Sequence, residues 1–98
     1  MASSKEFLDF ILTQIQPLEN ISWRKMMGEY IIYYRQKIIG GIYDNRFLVK
    51  PVAPVIENIT GEMAQPYDGA KPMFLITDIE NSDVLCTAIE LVYDELYS

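Results

Sequence analysis

Tyr30-Ile-Ile-Tyr-Tyr-Arg-Gln-Lys-Ile-Ile-Gly-Gly-Ile-Tyr-Asp-Asn-Arg-Phe-Leu-Val-Lys50 is the stretch that decides the fold. β-Branched and aromatic residues fill its three apolar runs, Tyr30 to Tyr34, Ile38 to Tyr43 and Phe47 to Val49. Such side chains suit a pleated, half-buried backbone. The polar pairs Gln36-Lys37 and Asp44-Asn45 between the runs read as hairpin turns, so Trp23 to Lys50 is expected to be an antiparallel meander. Gly40-Gly41 inside a strand marks a bulge or a close approach by another element, and packing is the preferred reading. Both alternations of the first run are apolar: Tyr30, Ile32 and Tyr34 point one way, Ile31 and Tyr33 the other. A sheet apolar on both faces needs a third helix, a partner subunit, or tyrosines whose hydroxyls still reach water.

Outward from the meander, helical spacing takes over. Ser3-x-x-Glu6 fits a capping box, and Phe7, Leu8, Ile11, Leu12, Ile15 and Leu18 recur as one face until Pro17 closes the segment, predicting a helix near 4 to 16. After the meander, Pro51 ends the last strand, and Pro54 with Gly61 brackets a short helix over Val55 to Ile59. Asp68-Gly69 reads as a turn and Pro72 to Thr77 as a strand. Asn81 or Ser82 is suited to cap a final helix near 82 to 97, with the stripe Leu85, Ile89, Val92 and Leu96, and Asp83 sits at the positive end of its dipole. The fold class is α+β: an antiparallel sheet flanked by helices, in the order α-β-β-β-α-(β)-β-α, forming a single domain over 1–98.

The 98 residues are 50% hydrophobic and 22% charged, an ordinary globular composition. No apolar run approaches the roughly 20 residues of a membrane span, and Met1-Ala-Ser-Ser-Lys-Glu lacks the apolar core of a signal peptide, so the expected location is cytoplasmic. The single cysteine, Cys86, precludes an intrachain disulfide, and the absence of histidine removes the commonest general base and most transition-metal ligand sets. No cofactor or metal is expected. The net charge of −6 divides unevenly: residues 1–50 carry seven bases against five acids, residues 51–98 one base against nine acids. Solvated faces and ion pairs between elements follow more naturally from this than a nucleic-acid surface.

Three motifs go further. Arg24-Lys-Met-Met-Gly-Glu-Tyr30 enters the first hairpin, Asp44-Asn-Arg-Phe-Leu-Val-Lys50 closes the meander, and Pro66-Tyr67 precedes Pro72-Met73. In these the chain resembles the N-terminal domain of the TfoX/Sxy competence regulators, from about residue 5 to 97. Arg24, Met26 and Gly28 match an Arg-x-Met-Phe-Gly-Gly motif. Asp44, Arg46, Leu48 and Lys50 match Asp-x-Arg-Leu-Tyr-Leu-Lys, and the proline pairs match the later segment. Met27 and Glu29 stand where the family usually has Phe and the second Gly. The resemblance implies a regulator that acts with other proteins in competence-gene transcription, and no established catalysis.

Arg24, Gly28, Tyr30, Asp44, Arg46 and Lys50 are therefore the candidate partner-contact residues. All but Tyr30 have a plainer reading. Arg24 suits a carboxylate pair across the sheet, Gly28 a backbone conformation at the strand entry, and Asp44 to Lys50 a turn followed by outward charges. Cys86 reads as a small buried helix residue, Met26-Met27 as core filler, and Glu90 with Asp94 as a solvated face. Asn58-Ile-Thr60 matches a glycosylation acceptor that a cytoplasmic chain does not use. The expected function is a small regulator or accessory protein, not an enzyme, working through a protein partner and forming a homodimer without contact to membranes. The alternatives are an enzyme of unknown type, or direct nucleic-acid binding by the tyrosine-rich and basic meander, which the net charge disfavours.

Overall fold

The computed structural model describes residues 2–98 and contains three helices and one six-stranded antiparallel sheet. The helices are α1 (Lys5–Gln14), α2 (Ala53–Asn58) and α3 (Ser82–Tyr97). The strands are β1 (Ile21–Met26), β2 (Glu29–Tyr34), β3 (Lys37–Ile42), β4 (Phe47–Val49), β5 (Gly61–Ala64) and β6 (Met73–Ile76), and across the sheet they run β1-β2-β3-β4-β6-β5. The α+β class holds. Four strands precede α2 rather than three, and the bracketed strand is real as β5.

β1 escapes the apolar pattern because five of its six residues are exposed. It is a strand through its pairing with β2, not through burial. Three two-residue turns build the meander: Met27-Gly28 with φ of 52° and 84°, Arg35-Gln36 with 52° and 68°, and Asp44-Asn45 with 53° and 55°. Positive φ at both central residues is the type I′ geometry, whose twist matches that of the flanking strands. The second turn sits one residue earlier than expected, because Lys37 already pairs with Tyr34 as the first rung of β3.

Close approach accounts for the glycine pair, and the bulge falls on the residue before it. The β2–β3 register shifts between Ile32 and Tyr33, leaving Ile39 as the extra residue. A Cβ on Gly40 would press on the Leu48 carbonyl and lie 2.7 Å from Val49 Cα, while one on Gly41 would meet the Tyr43 ring at 2.7 Å.

All three helices cover the same face. Leu8, Ile11 and Ile15 of the first helical segment, Val55 and Ile59 from α2 and its cap, and Leu85, Ala88, Ile89 and Val92 of α3 form one core with Tyr30, Ile32, Tyr34, Ile39, Ile42, Phe47, Val49, Phe74 and Ile76. The short helix therefore leaves the second face uncapped. Leu96, expected in the α3 stripe, is 46% exposed, and Tyr97 beside it turns to the sheet instead, its hydroxyl donating to the Ile38 carbonyl at 2.9 Å. The cap of α1 is Ser4, whose Oγ accepts from Phe7 N–H, rather than Ser3. Asn81 caps α3, and Ser82 instead donates to the Gln14 carbonyl, joining α3 to α1. Met27 is 97% exposed and Met26 48%, so neither fills the core: one occupies a turn and the other faces away from the helices.

Candidate functional site

Residues directly opposite in an antiparallel ladder share a face. Ser22, Arg24 and Met26 stand opposite Tyr33, Ile31 and Glu29, so these side chains share the face that the helices leave bare. Ile38, opposite Tyr33 and 41% exposed, extends it. Ser22, Trp23, Arg24, Tyr33 and Gln36 line an open groove of about 350 Å3 at this edge. The other half of the face is partly filled: the Tyr43 ring lies over Gly41, its centroid is 6.1 Å from that of Tyr67, and Leu48 is fully buried between Gly41 and Leu75 in the ladder. Burial pushes the Tyr43 hydroxyl above its ordinary pKa, with Tyr67 and Glu29 adding to the effect.

The six candidate residues do not converge. Arg24 lies on the bare face opposite Ile31, and the expected carboxylate pair is absent: the ion pair within 4.0 Å among the described residues is Lys5 with Asp9, inside α1. The oppositely charged halves therefore remain solvated rather than bridged between elements. Gly28 has φ +84°, and its carbonyl accepts from Ser3 N–H at 3.0 Å. Tyr30 is 4% exposed in the core, edge-on to Trp23 at 5.5 Å. Lys50 Nζ donates to Tyr97 Oη at 3.2 Å and lies over that ring, fastening the end of α3 to the sheet.

Asp44 and Arg46 belong to two different junctions. Asp44 N–H donates to the Glu29 carboxylate at 3.2 Å. The same carboxylate accepts from Ser3 Oγ at 2.6 Å, Ser3 Oγ accepts from Asn45 N–H, and Ser4 N–H donates to Asn45 Oδ1. Two hairpin ends and the N-terminal segment are thus tied through one carboxylate. Arg46 reaches the other way: Nε donates to the Tyr43 carbonyl, and one terminal nitrogen donates to those of Gln65 and Pro66, both at 3.1 Å.

From sequence Ser3 reads as a helix cap and Asn45 as a turn residue, and nothing local joins either to Glu29. Their one legible signal is Glu29, an acid directly after the turn glycine Gly28. Cys86 is partly buried, with Sγ 3.8 Å from the Gln14 carbonyl, and burial pushes its thiol pKa up, which opposes nucleophilic use. Among the described residues no group of three or more Cys, Asp or Glu side chains is placed to hold a metal, and no helix is long and apolar enough to cross a membrane.

The fold defines an α+β domain whose antiparallel sheet is covered by helices on one face. No family model matches the sequence. The chain is similar to an uncharacterized 12.7 kDa protein in the trpE 5′ region of Spirochaeta aurantia, at 32% identity over 80 residues, which make up 81% of this chain and 70% of that protein. It belongs to the family of that protein.

Proposed function

We propose that the chain is a non-enzymatic regulator or accessory domain of the TfoX N-terminal kind, acting in the cytoplasm through protein contacts and pairing as a homodimer through its bare sheet face. The observation that carries this reading is the position of Met26, Ile31, Tyr33 and Ile38 opposite the helices, outside the core cluster. A two-fold pairing is the commonest way to bury such a face. Glu62, opposite Leu75 on this same face, gives a pairing rim an acidic end to set against Arg24. Sedimentation equilibrium at micromolar concentration is the test. A species of twice 11.3 kDa is expected, and Tyr33→Lys is expected to dissociate it with the domain still folded. A single 11.3 kDa species removes the dimer. The non-enzymatic part has its own test in a metabolite turnover screen, where turnover abolished by Arg24→Ala or Asp44→Ala overturns it.

A further inference from the structure

We propose that the outer edge of β1 is a docking site for an extended acidic segment of a partner protein, which adds to the sheet as a seventh strand. The backbone carries the first part of the argument. Arg35 N–H donates to the Asn20 carbonyl at 3.0 Å, directly preceding the rung Ile21 to Tyr34. Bonded and non-bonded pairs alternate along an antiparallel ladder, so Ser22, Arg24 and Met26 also turn their backbone groups toward β2. Ile21, Trp23 and Lys25 then point N–H and C=O away from the sheet. β1 is terminal in the strand order, its pairing runs through six residues without a register shift, and it holds neither a proline nor a bulge; the device it does carry is charge, Arg24 and Lys25, which turns away basic strands and admits acidic ones.

Charge selects the occupant. Arg24 and Lys25 are adjacent, so they stand on opposite faces of the strand, and β1 contains no acid. Two neighbouring carboxylates on an added strand meet one cation on each face, that at Arg24 lying over the groove with Ser22 and Tyr33. A second copy of β1 is a poor occupant. Two-fold pairing of the outward residues about Trp23 sets Arg24 opposite Ser22 and Lys25 opposite Ile21, so all four cations of such a ladder lack a carboxylate partner. The opposite edge, β5, holds Glu62 and no base, so an acidic strand is directed to β1. Strand addition draws affinity from main-chain bonds and selectivity from alternate side chains. It shares Arg24 with the rim of the dimer reading but rests on the backbone groups of the edge and not on the sheet face, so it goes beyond that reading and does not depend on it.

Trp23, the single tryptophan, is 41% exposed on this strand and reports occupancy. The probe is an octapeptide of Thr and Val with two adjacent central glutamates, titrated against the intact chain while Trp23 fluorescence and the backbone amide resonances are followed. Saturable binding is expected, with the largest amide shifts at Ile21, Trp23 and Lys25. The same peptide with lysines in place of the glutamates is expected to bind at least tenfold more weakly. Lys25→Pro removes an N–H that β2 does not use and is expected to weaken binding at least tenfold more than Lys25→Ala. A peptide N-methylated on its β1-facing amides tests the same bonds without altering the protein. No saturation up to millimolar peptide, equal binding of the lysine peptide, or full binding of the N-methylated peptide each overturns the proposal. The sedimentation result stands apart from all three.

Discussion

Replacing Arg46 by Ala tests whether this residue is a fastener of the fold. Its guanidinium contacts three carbonyls, and their fates differ. Tyr43 O keeps a partner after the change, because Arg46 N–H donates to it at 3.0 Å. Gln65 O lies in an exposed bond that water replaces at little cost. Pro66 O accepts in a part-buried bond at 3.1 Å and loses that partner, while Pro66 itself is buried. A bond to a charged donor contributes roughly 1.5 to 3 kcal/mol, and partial exposure places this one near the lower end. With the lost packing of the arginine stem, the expected destabilisation is about 2 kcal/mol. At a urea slope of about 1 to 2 kcal/mol per molar, the unfolding midpoint should fall by roughly 1 to 2 M with the slope unchanged. Arg46→Lys presents a single ammonium instead of a planar fork and is expected to recover less than half of the loss. A midpoint shift equivalent to less than about 0.5 kcal/mol for Arg46→Ala would refute the reasoning and show that the loop after β5 is anchored by other contacts.

Ile89 is fully buried in the core, so Ile89→Ala is expected to cost about 2 to 5 kcal/mol by denaturant unfolding, and a loss under about 0.5 would place α3 elsewhere. Gly40→Ala drives a methyl group into the β4 backbone, and a loss of about 1 to 3 kcal/mol or more is expected, with neutrality contradicting the close approach. Tyr43 has a raised pKa in the folded state, so the folded protein holds its proton more tightly than the unfolded chain. Its contribution is complete below the unfolded value of about 10 and is lost as pH rises from there through the folded pKa; Tyr43→Phe should flatten that alkaline decline in unfolding midpoint, and an unchanged slope would count against it. Cys86, with its thiol pushed up by burial, should alkylate with iodoacetamide at pH 8 more slowly than a free cysteine, and faster reaction would mean the thiol is open and activated.

Sequence by itself determined the local elements, because each reports a periodicity or a turn chemistry confined to a few neighbours. Leu85, Ile89 and Val92 announce a helix face, the runs at Tyr30 and Ile38 announce strands, and Asp44-Asn45 announces its turn; all four elements stand close to those positions. Apolar alternation marks a strand only where one face is buried, and for that reason β1 was legible as part of the meander but not as a strand of its own. Tertiary structure alone decided which sheet face the helices share. Both alternations of β2 are apolar, and only the docking of α2 beside α3 shows that Ile31 and Tyr33 are left outside the core. The same holds for the polar junctions. Ser3 meets Asn45 across 42 positions and Arg46 meets Pro66 across 20, and no local pattern encodes such pairs. Their partners are set by strand order, which depends on how the apolar faces of distant segments pack together. A helix cap and a turn charge in the sequence thereby become, in the folded chain, the clasp of the N-terminus and the anchor of a loop.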